Sequence, residues 1–135
     1  MIQYVLDTNA CIELIRGRSQ RVLTRLRRCA PGSVGISSIT FAELYYGVAR
    51  SSDPQRNLLA LTQFCAPIAI LPFDDRAAAA YGTVRQNLER KGYPAGPLDT
   101  LIAAHSISEG ATLVTDNVRE FRHVSGLKVE NWLRP

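Results

Sequence analysis

Short apolar runs alternate along this chain with stretches whose apolar residues recur at the helical period, and that rhythm restricts the fold more than any other feature. Tyr4–Leu6 reads as a buried first strand, Val34–Ser37 as a second, Ile68–Leu71 as a third and Thr112–Val114 as a fourth, with Lys128–Glu130 as a short candidate fifth. Most of these runs are separated by helix-length segments. Strands joined in that way pair side by side in the same direction, with the connecting helices on both faces. The expected architecture is therefore α/β, with a central, mainly parallel sheet of four to five strands flanked by helices.

Punctuation residues place the helices. Thr8 or Asn9 can cap a helix that runs through Ile15 and ends at Gly17, and a second covers Gln20–Arg28 before Pro31 and Gly32. Ser38 or Thr40 starts a helix whose apolar stripe is Phe41, Leu44, Tyr45 and Val48. Pro54 suits the start of another, which ends before Pro67. Asp74 or Asp75 opens a long helix with the stripe Ala77, Tyr81, Val84 and Leu88. After a Gly/Pro-rich loop, Gly92–Pro97, a further helix begins at Pro97 and reaches about Ser108.

A length of 135 residues fits one domain, residues 1–135, and 46% hydrophobic against 21% charged residues allows a packed core. Cys11, Cys29 and Cys65 are odd in number and form no CxxC pair, which favours free thiols in a reducing cytoplasm over a disulfide framework. No stretch has the length of a membrane span, and the N-terminus lacks the layout of a signal peptide, so a cytoplasmic protein without membrane attachment is expected. Lys and Arg total 16 against 12 for Asp and Glu, giving +4. Such an excess attracts phosphate polymers, although it serves equally well as a soluble surface.

Four acids fall where an open parallel sheet puts its functional crevice, or on helices that can flank it. Asp7 directly follows the first strand, and Asp116 lies just beyond the fourth. Glu43 belongs to the helix after the second strand, and Asp99 to the first turn of the helix opened by Pro97. Each also has a plainer explanation. Glu43 points away from its helix's apolar stripe, alongside Tyr46, Gly47 and Arg50, so it can face a cleft or simply water. Asp99 can answer the helix dipole, and Asp7-Thr8-Asn9 can be a capped turn. Convergence of all four would be restrictive, because like charges raise one another's pKa or take a cation between them. An all-oxygen site suits Mg²⁺, with Mn²⁺ as the alternative, and not zinc. A cation held there can bind phosphate oxygens and activate a water for in-line attack, so that the nucleophile is not a side chain.

Laid out in this way, the chain resembles PIN-domain proteins, specifically the VapC type of bacterial toxin. The resemblance covers nearly the whole chain and rests on Tyr4-Val5-Leu6-Asp7-Thr8-Asn9, on Ile36 through Gly47 around Glu43, on Gly96-Pro97-Leu98-Asp99 through His105, and on Leu113 through Phe121. It implies a single PIN-like domain and a Mg²⁺-dependent endoribonuclease that shuts down translation and is neutralised by a VapB-type antitoxin. Asp7, Glu43 and Asp99 match the family's acidic positions. Many relatives carry the last acid, or an Asn, two residues after the Thr, where this chain has Asn117; here Asp116 is one residue after Thr115. Asp116 is taken as the fourth acid, with Glu120 of Arg119-Glu120-Phe121 as its rival. Asn9 and Thr115 resemble polar residues that orient ligands and backbone. The segments Gly92–Pro97 and Arg119–Gly126 are most similar to VapC proteins that cut the anticodon loop of initiator tRNA.

The remaining polar residues have competing roles. Ser37 and Ser38 have no evident activating base, so capping is expected of them. His105 lies off the Asp99 face and is expected to be packed or hydrogen-bonded; His123, in a loop, can contact RNA or water. Arg16, Arg18, Arg21, Arg25, Arg27 and Arg28 form a basic run that can meet phosphates, as can Arg85, Arg90 and Lys91, or can serve solubility alone. Tyr45, Tyr46, Leu59 and Phe64 offer a homodimer or antitoxin surface, with the core as the stronger reading for Leu59 and Phe64. Two other classes remain open: a receiver-like phosphoryl-handling domain, for which Asp74 follows the third strand but no matching Lys follows the fourth, and a non-catalytic RNA-binding module.

Overall fold

A computed structural model describes residues 1–134. The element order is β1 (Tyr4–Leu6), α1 (Thr8–Ile15), α2 (Gln20–Arg28), β2 (Val34–Ser37), α3 (Ser38–Ala49), α4 (Pro54–Cys65), β3 (Ala69–Leu71), α5 (Asp75–Lys91), α6 (Pro97–Ser108), β4 (Thr112–Val114), α7 (Val118–Phe121) and β5 (Lys128–Glu130). The five strands form one sheet in the order β3-β2-β1-β4-β5, and every pairing is parallel.

Strand alternation divides the core. Val5 and Leu113 point to one face of the sheet, where they join Val84 and Leu88 of α5, Ile102 of α6 and Phe121 of α7. Leu6 and Val114, one residue on, point to the other face and meet Ala10 and Cys11 of α1, Val22 of α2, Leu44 of α3 and Leu61 of α4. Strands buried on both faces need no polar alternation, which is why they read as continuous apolar runs. Within β2 the backbone passes so close to β3 that a Cβ on Gly35 would lie 2.9 Å from the Ala69 carbonyl oxygen. At the end of α5, Gly92 adopts φ 76°, a left-handed cap that stops the helix before the Gly/Pro loop.

Several expectations need correction. Asp7 caps α1, through a hydrogen bond accepted from the Ala10 N–H, and neither Thr8 nor Asn9 does so. The helix α3 does start at Ser38, as expected, with Ser37 as its cap. β3 begins at Ala69, and as an edge strand it leaves Ile70 42% exposed. Leu59 is 58% exposed and is not core, because α4 packs through Leu61 and Phe64. Tyr45 is also exposed, and the buried stripe of α3 reduces to Leu44 flanked by Phe41 and Val48. The one-turn helix α7 carried too few residues to show a period.

The sheet order fixes where a site can form. From β1 the chain moves through α1 and α2 to β2 on one side, whereas β4 lies on the other side and is reached from α6. Crossovers therefore diverge between β1 and β4, and a crevice opens outside their carboxyl ends. Leu6 pairs with Val114 there, so the residues that follow each strand stand side by side at its floor.

Candidate active site

Asp7 is the residue after β1, and the strand, the cap and the crevice all act on it. Its carboxylate is only 6% exposed, and one oxygen accepts the Ala10 N–H at 2.8 Å. Burial is the main force on its proton, raising the pKa from 3.8 to about 6. The Thr115 hydroxyl and the Ala10 N–H pull it down, while the negative charges of Asp116 and Asp99 push it up. Asp99, at the third position of α6, is also raised, first by burial and then by Glu120 and Glu43.

These mutual effects describe the arrangement. Asp7 lies within electrostatic reach of Asp116 and Asp99, and Asp99 within reach of Glu120 and Glu43, so the acids that follow β1 and β4 and those on α3, α6 and α7 are electrostatic neighbours. Among the described residues no three acidic, histidine or cysteine side chains form a ready-made metal cage. Mg²⁺ does not need one: it keeps several waters and takes one or two carboxylates directly. An all-oxygen donor set with two carboxyls already pushed toward the proton fits such a cation, whose charge would let both ionise.

A second tier of groups aims the acids. Thr8 Oγ1 donates to Glu43 Oε1 at 2.6 Å, and the buried Thr40 hydroxyl is 3.4 Å from that of Thr8. Thr115, fully buried, accepts the Asn117 N–H on its Oγ1 at 2.9 Å. Asn117 Nδ2 donates to Glu120 Oε2 at 2.5 Å, and the Gly96 N–H donates to Glu120 Oε1 at 3.2 Å. Both Glu120 oxygens are thus engaged, whereas Asp116 is exposed beside Asp7. Asn9 is exposed and lines a recess with Ile12, Glu13, Asp116, Leu133 and Arg134. Thr8 and the Gly96 N–H were missed by sequence reasoning. Thr8 had a local signal, a hydroxyl next to the strand-end acid, but Gly96 has no side chain to betray it.

The other polar candidates separate cleanly. Contrary to expectation, Ser37 does have a histidine beside it: His105 Nδ1 is 2.7 Å from Ser37 Oγ. The two lie 1% exposed or less, Ser37 also accepts the Ile39 N–H, and the His105 ring meets Phe73 edge-on. Burial lowers the His105 pKa, and no substrate can reach the pair. Ser38 Oγ accepts the Phe73 N–H at 3.0 Å. Arg16 lines the groove next to Glu43, and Arg18 lies 3.8 Å from Glu13. Arg85 is bound to Glu89 and Tyr81, and Lys91 to the His123 carbonyl and Ser125. His123 stacks on Tyr93 with ring centroids 3.8 Å apart. The described residues contain no helix long and apolar enough to cross a membrane.

Comparison with known proteins agrees with this geometry. The PIN domain family matches residues 4–127. A protein of Shigella flexneri named tRNA(fMet)-specific endonuclease VapC is 42% identical over 132 residues, covering 98% of this chain and 99% of its own. Ribonuclease VapC2 of Haemophilus influenzae is 41% identical over 133 residues, covering 98% and 100%. The crystal structure of VapBC2 from Rickettsia felis, bound to a DNA fragment from its promoter, superposes with a TM-score of 0.92 at 40% identity over 98% of this chain and 99% of that one.

Proposed function

The chain belongs to the PIN-domain family and, within it, to the VapC ribonucleases, and on that premise we propose that it is a Mg²⁺-dependent endoribonuclease toxin that cuts initiator tRNA in the anticodon loop and so stops translation. The observation that carries this reading is that Asp7, buried at the end of β1, feels the charges of Asp116 and Asp99, while Asp99 feels that of Glu43. The tRNA target is supported by the name of the Shigella flexneri relative and by its nearly complete coverage.

Asp7, Glu43, Asp99 and Asp116 would hold one or two Mg²⁺ ions, directly or through water, with Mn²⁺ as a substitute. The ion supplies, when bound, activation of a water and compensation of charge on the phosphate. The chain's own residues set that stage. Ala10 N–H and Thr115 fix Asp7, Thr8 fixes Glu43, and the Gly96 N–H with Asn117 fixes Glu120 at the rim near Asp99. Asp116, exposed and within electrostatic reach of Asp7, would serve as the fourth acid, and Glu120 as a positioning residue.

A VapB-type antitoxin is the proposed partner, supported by solved relatives that are VapBC complexes. Exposed Tyr45, Tyr46, Leu58 and Leu59 on α3 and α4 are surfaces for that partner or for a second copy in a homodimer. The receiver-like alternative loses its footing, because β3 is an edge strand and Asp74 is occupied as the cap of α5, accepting the Ala77 N–H at 3.0 Å.

The deciding experiment incubates the purified protein with total tRNA in Mg²⁺ and in chelator and maps the new ends. Cuts confined to the initiator anticodon loop and abolished by chelator are expected. Cuts elsewhere with initiator tRNA intact reject the target; cleavage indifferent to chelator rejects the metal.

A further inference from the structure

The positive charge of this chain has one address. Residues 16–28 carry six arginines and no acid, while the remaining ten cations and twelve acids leave the rest of the chain at −2. The excess is therefore local to α2 and its approach.

Arg21, Arg25 and Arg28 recur at helical spacing, which stacks them on one side of α2 over about 10 Å. They are not scattered into open water. Together with Gln20, Thr24, Asn131, Trp132 and Arg134 they line a groove between α2 and the segment after β5. Arg25 is the fixed member, 3.0 Å from Glu130 and 4.9 Å from the centre of the Trp132 ring. Trp132 in turn donates its indole N–H to Glu130 at 3.0 Å. Arg21, Arg28 and Arg134 are exposed, and the ion pairs found among the described residues do not include them. Their guanidinium groups remain available to an external anion.

The position of this groove gives it meaning. Arg134 lines it at one end and also lines the recess that holds Asn9 and Asp116 beside the acid crevice. Arg134 therefore borders both depressions. We propose that the α2 groove is an RNA exosite, holding the sugar–phosphate backbone of a large substrate at a distance from the bond that is cut. Resting on the ribonuclease reading, this says how an acidic crevice retains a polyanion: the crevice repels, and the neighbouring arginine groove supplies the attraction. Guanidinium groups suit phosphate oxygens through their forked donors. The outward side of α2 shows Gln20, Arg21, Thr24, Arg25, Arg27 and Arg28, with Val22 buried, so it lacks the apolar side chains that a membrane surface requires.

The test compares the unaltered protein with Arg21→Gln/Arg28→Gln and with Arg21→Lys/Arg28→Lys. Binding of intact bulk tRNA is measured across a salt series in chelator, and cleavage of tRNA and of a short single-stranded oligoribonucleotide is measured in Mg²⁺. The glutamine pair is expected to flatten the dependence of log Kd on log salt by about two and to raise KM for tRNA about tenfold. Its kcat, its cleavage of the oligoribonucleotide and its melting temperature stay unchanged, and the lysine pair keeps most of the salt dependence. An unchanged salt slope overturns the exosite, as does equal loss on both RNAs. So does weakened binding of polyglutamate with tRNA binding intact, which would assign the groove to an acidic protein. If the unaltered protein cuts neither RNA, the ribonuclease reading fails while the salt slope still decides the groove.

Discussion

Asp7 at the end of β1 and Ser37 at the end of β2 occupy equivalent places. Asp7 directly follows β1 and Ser37 is the last residue of β2; each caps the next helix with its side chain, and each faces α6, where Asp7 senses Asp99 and Ser37 meets His105. Their characters are opposite. Ser37 and His105 form a neutral buried pair at 2.7 Å, and among the described residues no buried side-chain nitrogen or oxygen lacks a partner. Asp7 is buried beside like charges that push its proton on. The β2 end is covered by its own helix and by α6, whereas the β1 end opens on the switch-point crevice. One local device thus serves packing where it is covered and chemistry where the topology leaves it open.

Replacing Asp7 breaks that contrast most forcefully. Asn caps a helix as well as Asp, so Asp7→Asn keeps α1 while removing the charge. Cleavage of tRNA in Mg²⁺ is expected to fall by about 10³-fold or more, on the order of 4 kcal/mol. Activity within tenfold of the unaltered protein, with RNA still bound, would leave the crevice without a catalytic role.

Stability should move the other way. In chelator, Asp7 has a folded pKa of about 6 against 3.8 unfolded, so the folded state holds the proton more tightly. Its contribution to stability is fully present below about pH 3.8 and is lost as pH rises through about 6. By pH 7.5 the loss is on the order of 3 kcal/mol. Asp7→Asn has no such proton to lose, so urea titrations should show it more stable than the unaltered protein at pH 7.5 and equal to it near pH 3.5. A variant less stable at both pH values would mean that the Asp7 carboxylate supports the fold.

At the other strand end the effect is on stability alone. His105→Ala removes a fully buried ring and leaves the Ser37 hydroxyl without its partner, a loss of about 2–3 kcal/mol. Cleavage per folded molecule at a temperature below the melting transition should stay within a few-fold. A drop comparable to that of Asp7→Asn, at matched folded fraction, would make the pair part of the catalytic apparatus.

How much of this contrast is legible in the sequence depends on range. β1, β2 and β4 are visible because burial on both faces makes them continuous apolar runs, and Asp7, Glu43, Asp99 and Asp116 stand out by their places relative to those runs. The meeting of Ser37 with His105 is not legible, since the two are 68 residues apart and only the parallel order of the sheet brings α6 over β2. The cap of α1 was misassigned for a related reason. The sequence offers a capped turn and a catalytic acid as alternatives for Asp7-Thr8-Asn9, whereas the Asp7 carboxylate accepts the Ala10 N–H while lying among the acids. The sequence favours the core over a partner surface for Leu59, but α4 packs on α1 and α3 through its other side, which carries Leu61 and Phe64.

The smallest expected effect tests whether the open strand end is tuned as finely as the covered one is packed. Thr8 Oγ1 donates to Glu43 Oε1 at 2.6 Å, tying the residue after Asp7 to an acid on α3. Valine keeps the branched shape and the first turn of α1 but has no donor, so Thr8→Val frees the Glu43 carboxylate to rotate. Groups that orient a metal ligand typically account for 10–100-fold in affinity or activity. The low end is expected here, because Thr8 is only partly buried and water can replace part of the bond. The Mg²⁺ concentration for half-maximal cleavage should rise about tenfold, roughly 1.4 kcal/mol, with kcat at saturating Mg²⁺ nearly unchanged. Thr8→Ser, which restores the hydroxyl, should return it to the starting value. A purely structural Thr8 predicts a different pattern, in which both variants shift the melting temperature and neither changes the Mg²⁺ requirement; that outcome would reduce the Thr8–Glu43 bond to packing, like the Ser37–His105 pair.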